Sequence, residues 1–241
     1  MTTDLYLIRH GEAQAALQDF IGDTSLSPLG VMQAEHLRDR LLATHEIHAD
    51  VFIASTLLRA HETASIIAPA FDVPLMLDEE IQELRAGEAD GLTVTEAEQK
   101  YGRVDFKVSP LKAMAHGGEN WGQFVLRVGT ALERILQTYE DKSIVLVCHG
   151  GVIDSAFLYF FKVSSLSYPP AGFRTRNTSI THWQKRGHSH RRWRVMRYND
   201  AFHLYDIGTS ARIPWEQLRN SPASDMDRPT VPLPTEAFDE H

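Results

Sequence analysis

The chain has 241 residues, with 24 Lys plus Arg against 32 Asp plus Glu for a formal net charge of −8, and 43% of its residues are hydrophobic. That composition supports a buried core and excludes disorder throughout. The acidic balance argues against a general nucleic-acid binder, whose affinity comes from a basic surface that releases counterions. Cys148 is the single cysteine, so no internal disulfide is expected. Met1–Ile8 run directly into a strand-like segment without a leader, and no apolar stretch approaches the ~20 residues of a membrane-spanning helix. A cytoplasmic protein with no membrane or nucleic-acid partner is expected, and the sequence is open to a homodimer.

Strand-like apolar runs occur at Leu5–Ile8, Val51–Ala54 and Ile144–Cys148, each followed by a segment with helical periodicity. This alternation predicts an α/β fold, a three-layer α/β/α sandwich around a mostly parallel central sheet. Ser27-Pro28 reads as an N-cap with proline in the first turn, and Leu29, Ala34, Leu37 and Leu41 share one face of a helix reaching about Thr44. A second helix spans about Leu57–Ala70, ending against Pro69 and Pro74. Trp121, Phe124, Val125, Val128, Ala131, Leu132, Ile135 and Leu136 form the clearest helical stripe, best read as plain core. Two last strands, Ser179–Gln184 and Trp193–Tyr198, flank a hydrophilic turn that holds His188-Ser189-His190. This turn has arginine neighbours and no carboxylate or cysteine partner, so it reads as solvated and not as a metal site. Residues 1–204 form one expected domain, with 84–117 as a weakly patterned cap segment and 205–241 as a proline-rich extension.

Ligands bind at the carboxyl ends of strands in open α/β sheets. The first run ends in Arg9-His10-Gly11-Glu12, the second leads through Ser55 to Arg59, and the third ends in His149-Gly150-Gly151. Two arginines and two histidines therefore arrive at one sheet edge. Guanidinium forks suit a phosphoryl group, and a neutral imidazole can attack phosphorus, so the chemistry needs neither metal nor cofactor. Taken singly, each histidine reads more simply as a satisfied core or surface residue. Cys148 lies beside His149, but neighbouring strand residues point to opposite faces, which makes it a buried, inert thiol.

The combination resembles the histidine phosphatase superfamily, in its phosphoglycerate-mutase-like branch. Leu7-Ile8-Arg9-His10-Gly11-Glu12 is similar to the signature of that family, and Ser55 through Arg59 to Thr63-Ala64 resembles its second arginine motif. Leu26-Ser27-Pro28-Leu29-Gly30 resembles the start of its first helix, and Glu83 with Gly87 and Gly91 its acid/base segment. Gly117-Gly118-Glu119, Cys148-His149-Gly150-Gly151, Asn177-Thr178-Ser179-Ile180 and Asn199-Asp200 complete a likeness running from about Asp4 to Leu204.

The resemblance implies that His10 is the nucleophile, that Arg9, Arg59 and His149 clamp the phosphoryl oxygens with His149 as imidazolium, and that Glu83 handles the leaving-group proton. Gly150 and Glu12 join the phosphate site on the same basis, and Arg174 and Arg176 are placed to reach a second anionic group or to be plain loop charges. Where many relatives carry an asparagine, this chain has Ala16. The implied activity is hydrolysis of a small phosphorylated metabolite through a phosphohistidine. The alternatives are a phosphoglycerate mutase, which would carry a larger basic cap between Glu83 and His149, and a non-catalytic phospho-ligand binder.

Overall fold

The computed structural model describes residues 2–187 and 193–205, all within one unit, Met1–Gly208. The expectations for His188-Ser189-His190 and for the extension beyond Tyr205 lie outside the described residues. Six strands build one sheet: β1 (Thr2–Arg9), β2 (Val51–Ser55), β3 (Leu75–Asp78), β4 (Ser143–Cys148), β5 (Ile180–Arg186) and β6 (Arg194–Asp200). Their order is β3-β2-β4-β1-β5-β6. The first four of these run parallel, and β5 and β6 continue the sheet antiparallel, so the sheet is mixed with a parallel half that carries the expected runs.

Alternation along the strands assigns the two faces. Leu5 and Leu7 of β1 and Ile144, Leu146 and Cys148 of β4 pack under α5 (Trp121–Thr138) and α6 (Gly150–Phe161). Tyr6, Ile8, Val145 and Val147 point the other way, onto Leu37 and Leu41 of α2 (Pro28–Thr44) and Ala60, Ala64 and Ile67 of α3 (Leu58–Ile67). Two cores on opposite faces of one sheet are the three layers expected from the sequence.

Ser27 caps α2 by accepting the Gly30 amide at 3.0 Å, with Pro28 in the first turn. Asn120 and Gln123 close a reciprocal capping box on α5. The segment after Glu83 is not a bare loop. It contains α4 (Val94–Tyr101), capped by Thr93 and Glu96, and a small core in which Ala89, Ala97 and Ala115 meet Ile21, Leu92 and Met114. A short turn, α1 (Ala15–Gln18), follows the Arg9–Glu12 segment, and a backbone bridge joins Phe20 to Thr93. No helix among the described residues is long and apolar enough to cross a membrane.

Candidate active site

The sheet register assembles the site. Arg9 pairs with Cys148 across β1 and β4, and Ala54 pairs with Val147 across β2 and β4, so His10, His149 and Ser55 arrive together at the carboxyl edge. The His10 and His149 rings are 5.1 Å apart, centroid to centroid, and both are buried. Arg9 follows from β1, and Arg59 comes from the first turn of α3.

The loop carrying His10 is packed backbone to backbone against the start of α2. A Cβ on Gly11 would lie 2.5 Å from the Gly30 carbonyl oxygen, and one on Gly30 would lie 2.0 Å from that of Glu12, so neither position has room for a side chain. The Gly11 amide donates to Thr63 Oγ1 at 3.0 Å, and Asn177 Nδ2 donates to the His10 carbonyl at 3.0 Å. Glu12 also braces this loop. Its carboxylate accepts from Ser27 Oγ at 2.9 Å, and its amide donates to Gln33 Oε1 at 2.8 Å.

Hydrogen bonds define the His10 tautomer. Nδ1 lies 2.6 Å from the Gly11 carbonyl oxygen, which can only accept, so the proton sits on Nδ1. Arg59 Nε donates to Nε2 at 3.3 Å, so Nε2 presents its lone pair. Burial, reinforced by Arg59 and Arg9, holds His10 well below the ordinary histidine value of 6.5, which keeps this imidazole neutral. The same forces, burial first and then His10, Arg59 and Arg9, hold His149 well below that value. The imidazolium expected of His149 is therefore disfavoured among the protein groups alone, because burial and the neighbouring cations act in the same direction. Ser55 Oγ accepts the Leu57 amide at 3.3 Å and shares a hydrogen bond of 2.8 Å with His149 Nε2. His149 Nδ1, on the other side of the ring, is buried with no hydrogen-bond partner among the described residues.

Arg9 donates to the Thr175 carbonyl through one terminal nitrogen, while its Nε is buried and unpartnered. A Cβ on Gly150 would lie 3.8 Å from that Nε, so Gly150 keeps the start of α6 open beside Arg9. Arg59 is braced by the Gly22 carbonyl at 3.3 Å and Asp23 at 3.4 Å. Arg174 and Arg176 are exposed on the loop before β5. Arg174 lies close enough to depress the guanidinium of Arg9.

Glu83 faces the start of α6. Its Oε2 accepts the Gly151 amide at 3.0 Å and its Oε1 the Leu84 amide at 3.0 Å. A Cβ on Gly151 would come within 2.3 Å of Oε1, so that glycine is what admits the carboxylate. The backbone that presents Glu83 hangs from α5 by Arg127. This guanidinium is only 7% exposed and pairs with Glu119 at 2.6 Å. It also donates to the carbonyls of Glu80 at 2.8 Å, Gln82 at 3.1 Å and Glu83 at 3.2 Å. Glu119 in turn accepts the Arg85 amide at 3.0 Å. Sequence reading took this helix as core alone. The one sign of Arg127 was a charge three residues after Phe124 and four before Ala131, at the margin of the buried stripe.

Asp154 of α6 was also missed. It shares the edge with Arg9 and Glu83, its Oδ1 is buried and unpartnered, and burial, reinforced by Glu83, pushes its carboxyl up to about 7 against the pull of Arg9. Cys148 is sealed in the core and burial pushes its thiol up, in keeping with an inert group.

His10, Arg59 and Glu83 open into a cleft of about 490 Å³ whose rim is formed by Ala13, Ala15, Ala16, residues 20–23, Leu57, the segment around Glu83 at residues 82–87, and Asp90. A second groove, of about 640 Å³ between α5 and α6, contains none of these three.

A neutral imidazole beneath two arginines, at the carboxyl edge of a three-layer α/β sheet, defines an enzyme built to handle an oxyanion. The chain belongs to the histidine phosphatase superfamily (branch 1), whose family model matches residues 5–201. It is 27% identical over 213 residues to phosphoserine phosphatase 1 of Hydrogenobacter thermophilus, covering 86% of this chain and 97% of that protein. It is 32% identical over 162 residues to phosphoglycerate mutase-like protein 4 of Arabidopsis thaliana, covering 64% of this chain and 69% of that one. Among solved structures, Bacillus stearothermophilus YhfR superposes with a TM-score of 0.70 at 27% identity, covering 84% of this chain and 99% of that one. Phosphoserine phosphatase of Entamoeba histolytica, solved with 3-phosphoglyceric acid, superposes with a TM-score of 0.66 at 28% identity, covering 84% and 99%.

Proposed function

We propose that this protein is a phosphomonoester hydrolase working through a phosphohistidine on His10, with a small phosphorylated metabolite as its substrate. The observation that carries the reading is the His10 tautomer: a neutral ring whose proton is tied to a carbonyl and whose Nε2 lone pair lies beside Arg59. Arg9 Nε supports it as a buried donor without a partner among the described residues, which an oxyanion would satisfy, and His149 Nδ1 as a second buried polar atom without one. Phosphatase-named relatives support hydrolysis over other fates of the phosphoryl group.

In the first step His10 Nε2 forms the bond to phosphorus as the ester oxygen leaves, and protonated Glu83 supplies the proton that makes the departing group an alcohol. In the second step water attacks phosphohistidine, the Glu83 carboxylate takes its proton, and phosphate leaves with the His10 lone pair restored. Arg9, Arg59 and His149 act on the charge of the equatorial oxygens in both steps. The chemistry assigns no step to a metal ion.

The test is release of inorganic phosphate from alkyl and aryl monoesters in the presence and absence of a chelator, with the wild-type protein and His10→Ala. Release that survives the chelator and disappears in His10→Ala is expected. Undiminished release by His10→Ala would sink the mechanism.

A further inference from the structure

The cleft has a floor that fits a phosphoryl group and walls of a different character. Ala13, Ala16, Phe20, Ile21, Leu57 and Ala86 line it beyond the catalytic groups. The charged residues among the walls are Asp23, Arg85 and Asp90. Asp23 is committed to Arg59 and to the Leu58 amide at the start of α3, at 2.9 Å. Arg85 is turned toward its own segment, with Nε on Gln82 Oε1 at 3.2 Å and Nη2 on Glu80 Oε1 at 3.2 Å. Asp90 is exposed and belongs to no ion pair among the described residues. Asp23 and Arg85 thus each stand in an ion pair, and Asp90 is the one charged wall residue that stands in none among the described residues.

We infer that the substrate of this site is the phosphate monoester of an uncharged, largely apolar alcohol, selected by the apolar walls and by the exclusion of a second anionic group at Asp90. The inference rests on the phosphatase reading above and deepens it. Apolar contact with Phe20, Ile21 and Leu57 rewards each buried methylene of the alcohol, whereas a carboxylate or second phosphate there would leave water for an apolar wall whose one charge outside an ion pair is like its own. Retaining a bisphosphate, as a mutase must, requires the opposite wall. Ala16 belongs to the same surface, its methyl group extending the apolar lining.

The experiment compares kcat/KM for butyl phosphate and 4-phosphooxybutanoate, two alkyl esters that differ in the distal charge, alongside a straight-chain series from ethyl to pentyl phosphate. The expected preference for butyl phosphate is about 10-fold or more, and the series should rise by about 3-fold per methylene while the chain remains inside the cleft. Asp90→Lys should narrow the charge preference by raising turnover of the anionic ester relative to butyl phosphate. Binding of butylphosphonate and 4-phosphonobutanoate, measured by calorimetry, reads the same discrimination without turnover. Equal affinities and equal kcat/KM would overturn the inference while leaving the phosphatase intact. A preference for the anionic ester that Arg174→Ala removes would overturn it in favour of recognition by the loop arginines. Absence of His10-dependent turnover with the phosphonate preference retained would count against the catalytic reading alone.

Discussion

The floor and the wall of the cleft are built by different means. The floor, Arg9, His10, Ser55 and His149 with Arg59 beside them, stands mainly on strand ends locked by register, with the Gly11 carbonyl setting the His10 tautomer and Ser55 bonded to His149. The wall that carries Glu83 has no strand beneath it. It is held at three backbone carbonyls by Arg127 and at the carboxylate by the Gly151 amide. In the proposed mechanism, phosphoryl binding therefore rests on the sheet, whereas proton transfer by Glu83 rests on an ion pair between α5 and a loop, and the two should separate under mutation.

Arg59→Ala removes a floor cation that also touches His10 Nε2, so it should lower kcat/KM by about 100-fold or more for every ester, whatever its leaving group. A loss of only a few-fold would place Arg59 outside the phosphoryl site. Glu83→Gln acts on the wall. It should depress phosphoenzyme formation from alkyl phosphates by roughly 100-fold, but that from p-nitrophenyl phosphate far less, because the aryl oxide departs without a proton. Equal losses in that single-turnover step would remove Glu83 as the general acid and put Glu79, Glu80 or Glu88 next in line.

Arg127→Lys keeps a charge but loses the fork that reaches Glu119 and the three carbonyls together. A kcat loss of about 10-fold on alkyl esters is expected, with the aryl ester and its KM little changed. A purely structural role for Arg127 would lower both esters equally.

Asp154 gives a smaller, pH-dependent effect. As pH rises through about 7 its carboxyl ionises beside Arg9 and Glu83, and the new negative charge offsets Arg9 toward a phosphoryl dianion. kcat/KM should decline by about 3-fold across that range, and Asp154→Asn should flatten the decline. The acid limb, set by protonation of His10, should lie below pH 6.5, because burial and two arginines depress that imidazole.

Stability follows the same histidines. His10, His149, His182 and His203 all have folded values below 6.5 chiefly through burial, so the unfolded chain binds more protons than the folded one as pH falls past that point. Stability present above pH 6.5 is lost on acidification, and Tm should fall by roughly 5 °C between pH 7.5 and 5.5. An unchanged Tm would mean these groups are not desolvated. The carboxylates held low by Arg40 and Arg127, Asp200 at about 2 among them, act only at still lower pH.

The contrast between floor and wall also explains what the sequence disclosed. The strand runs β1, β2 and β4 were legible because both of their faces are buried, and the floor residues follow them directly in the chain. The edge strand β3 was not legible: it is four residues long and leaves Met76 and Leu77 largely exposed, so neither length nor alternation announces it. α4 was passed over inside a weak pattern although Thr93 and Glu96 carry a capping signature. Arg127 and Asp154 act through partners distant in the chain, and no local pattern encodes that. Glu12 was placed at the site by following His10-Gly11, and its hydrogen bond from Ser27 Oγ had no local sign in the sequence.

The central claim, a covalent phosphohistidine on His10, is tested most directly by acid-free denaturing quench of a single turnover with a 32P-labelled aryl phosphate, using Glu83→Gln to slow the second step. The account predicts label on the protein that is acid-labile and base-stable, located at His10 by peptide mass spectrometry, and absent from His10→Ala. Phosphate released without any labelled protein, or label that persists in His10→Ala, would contradict it.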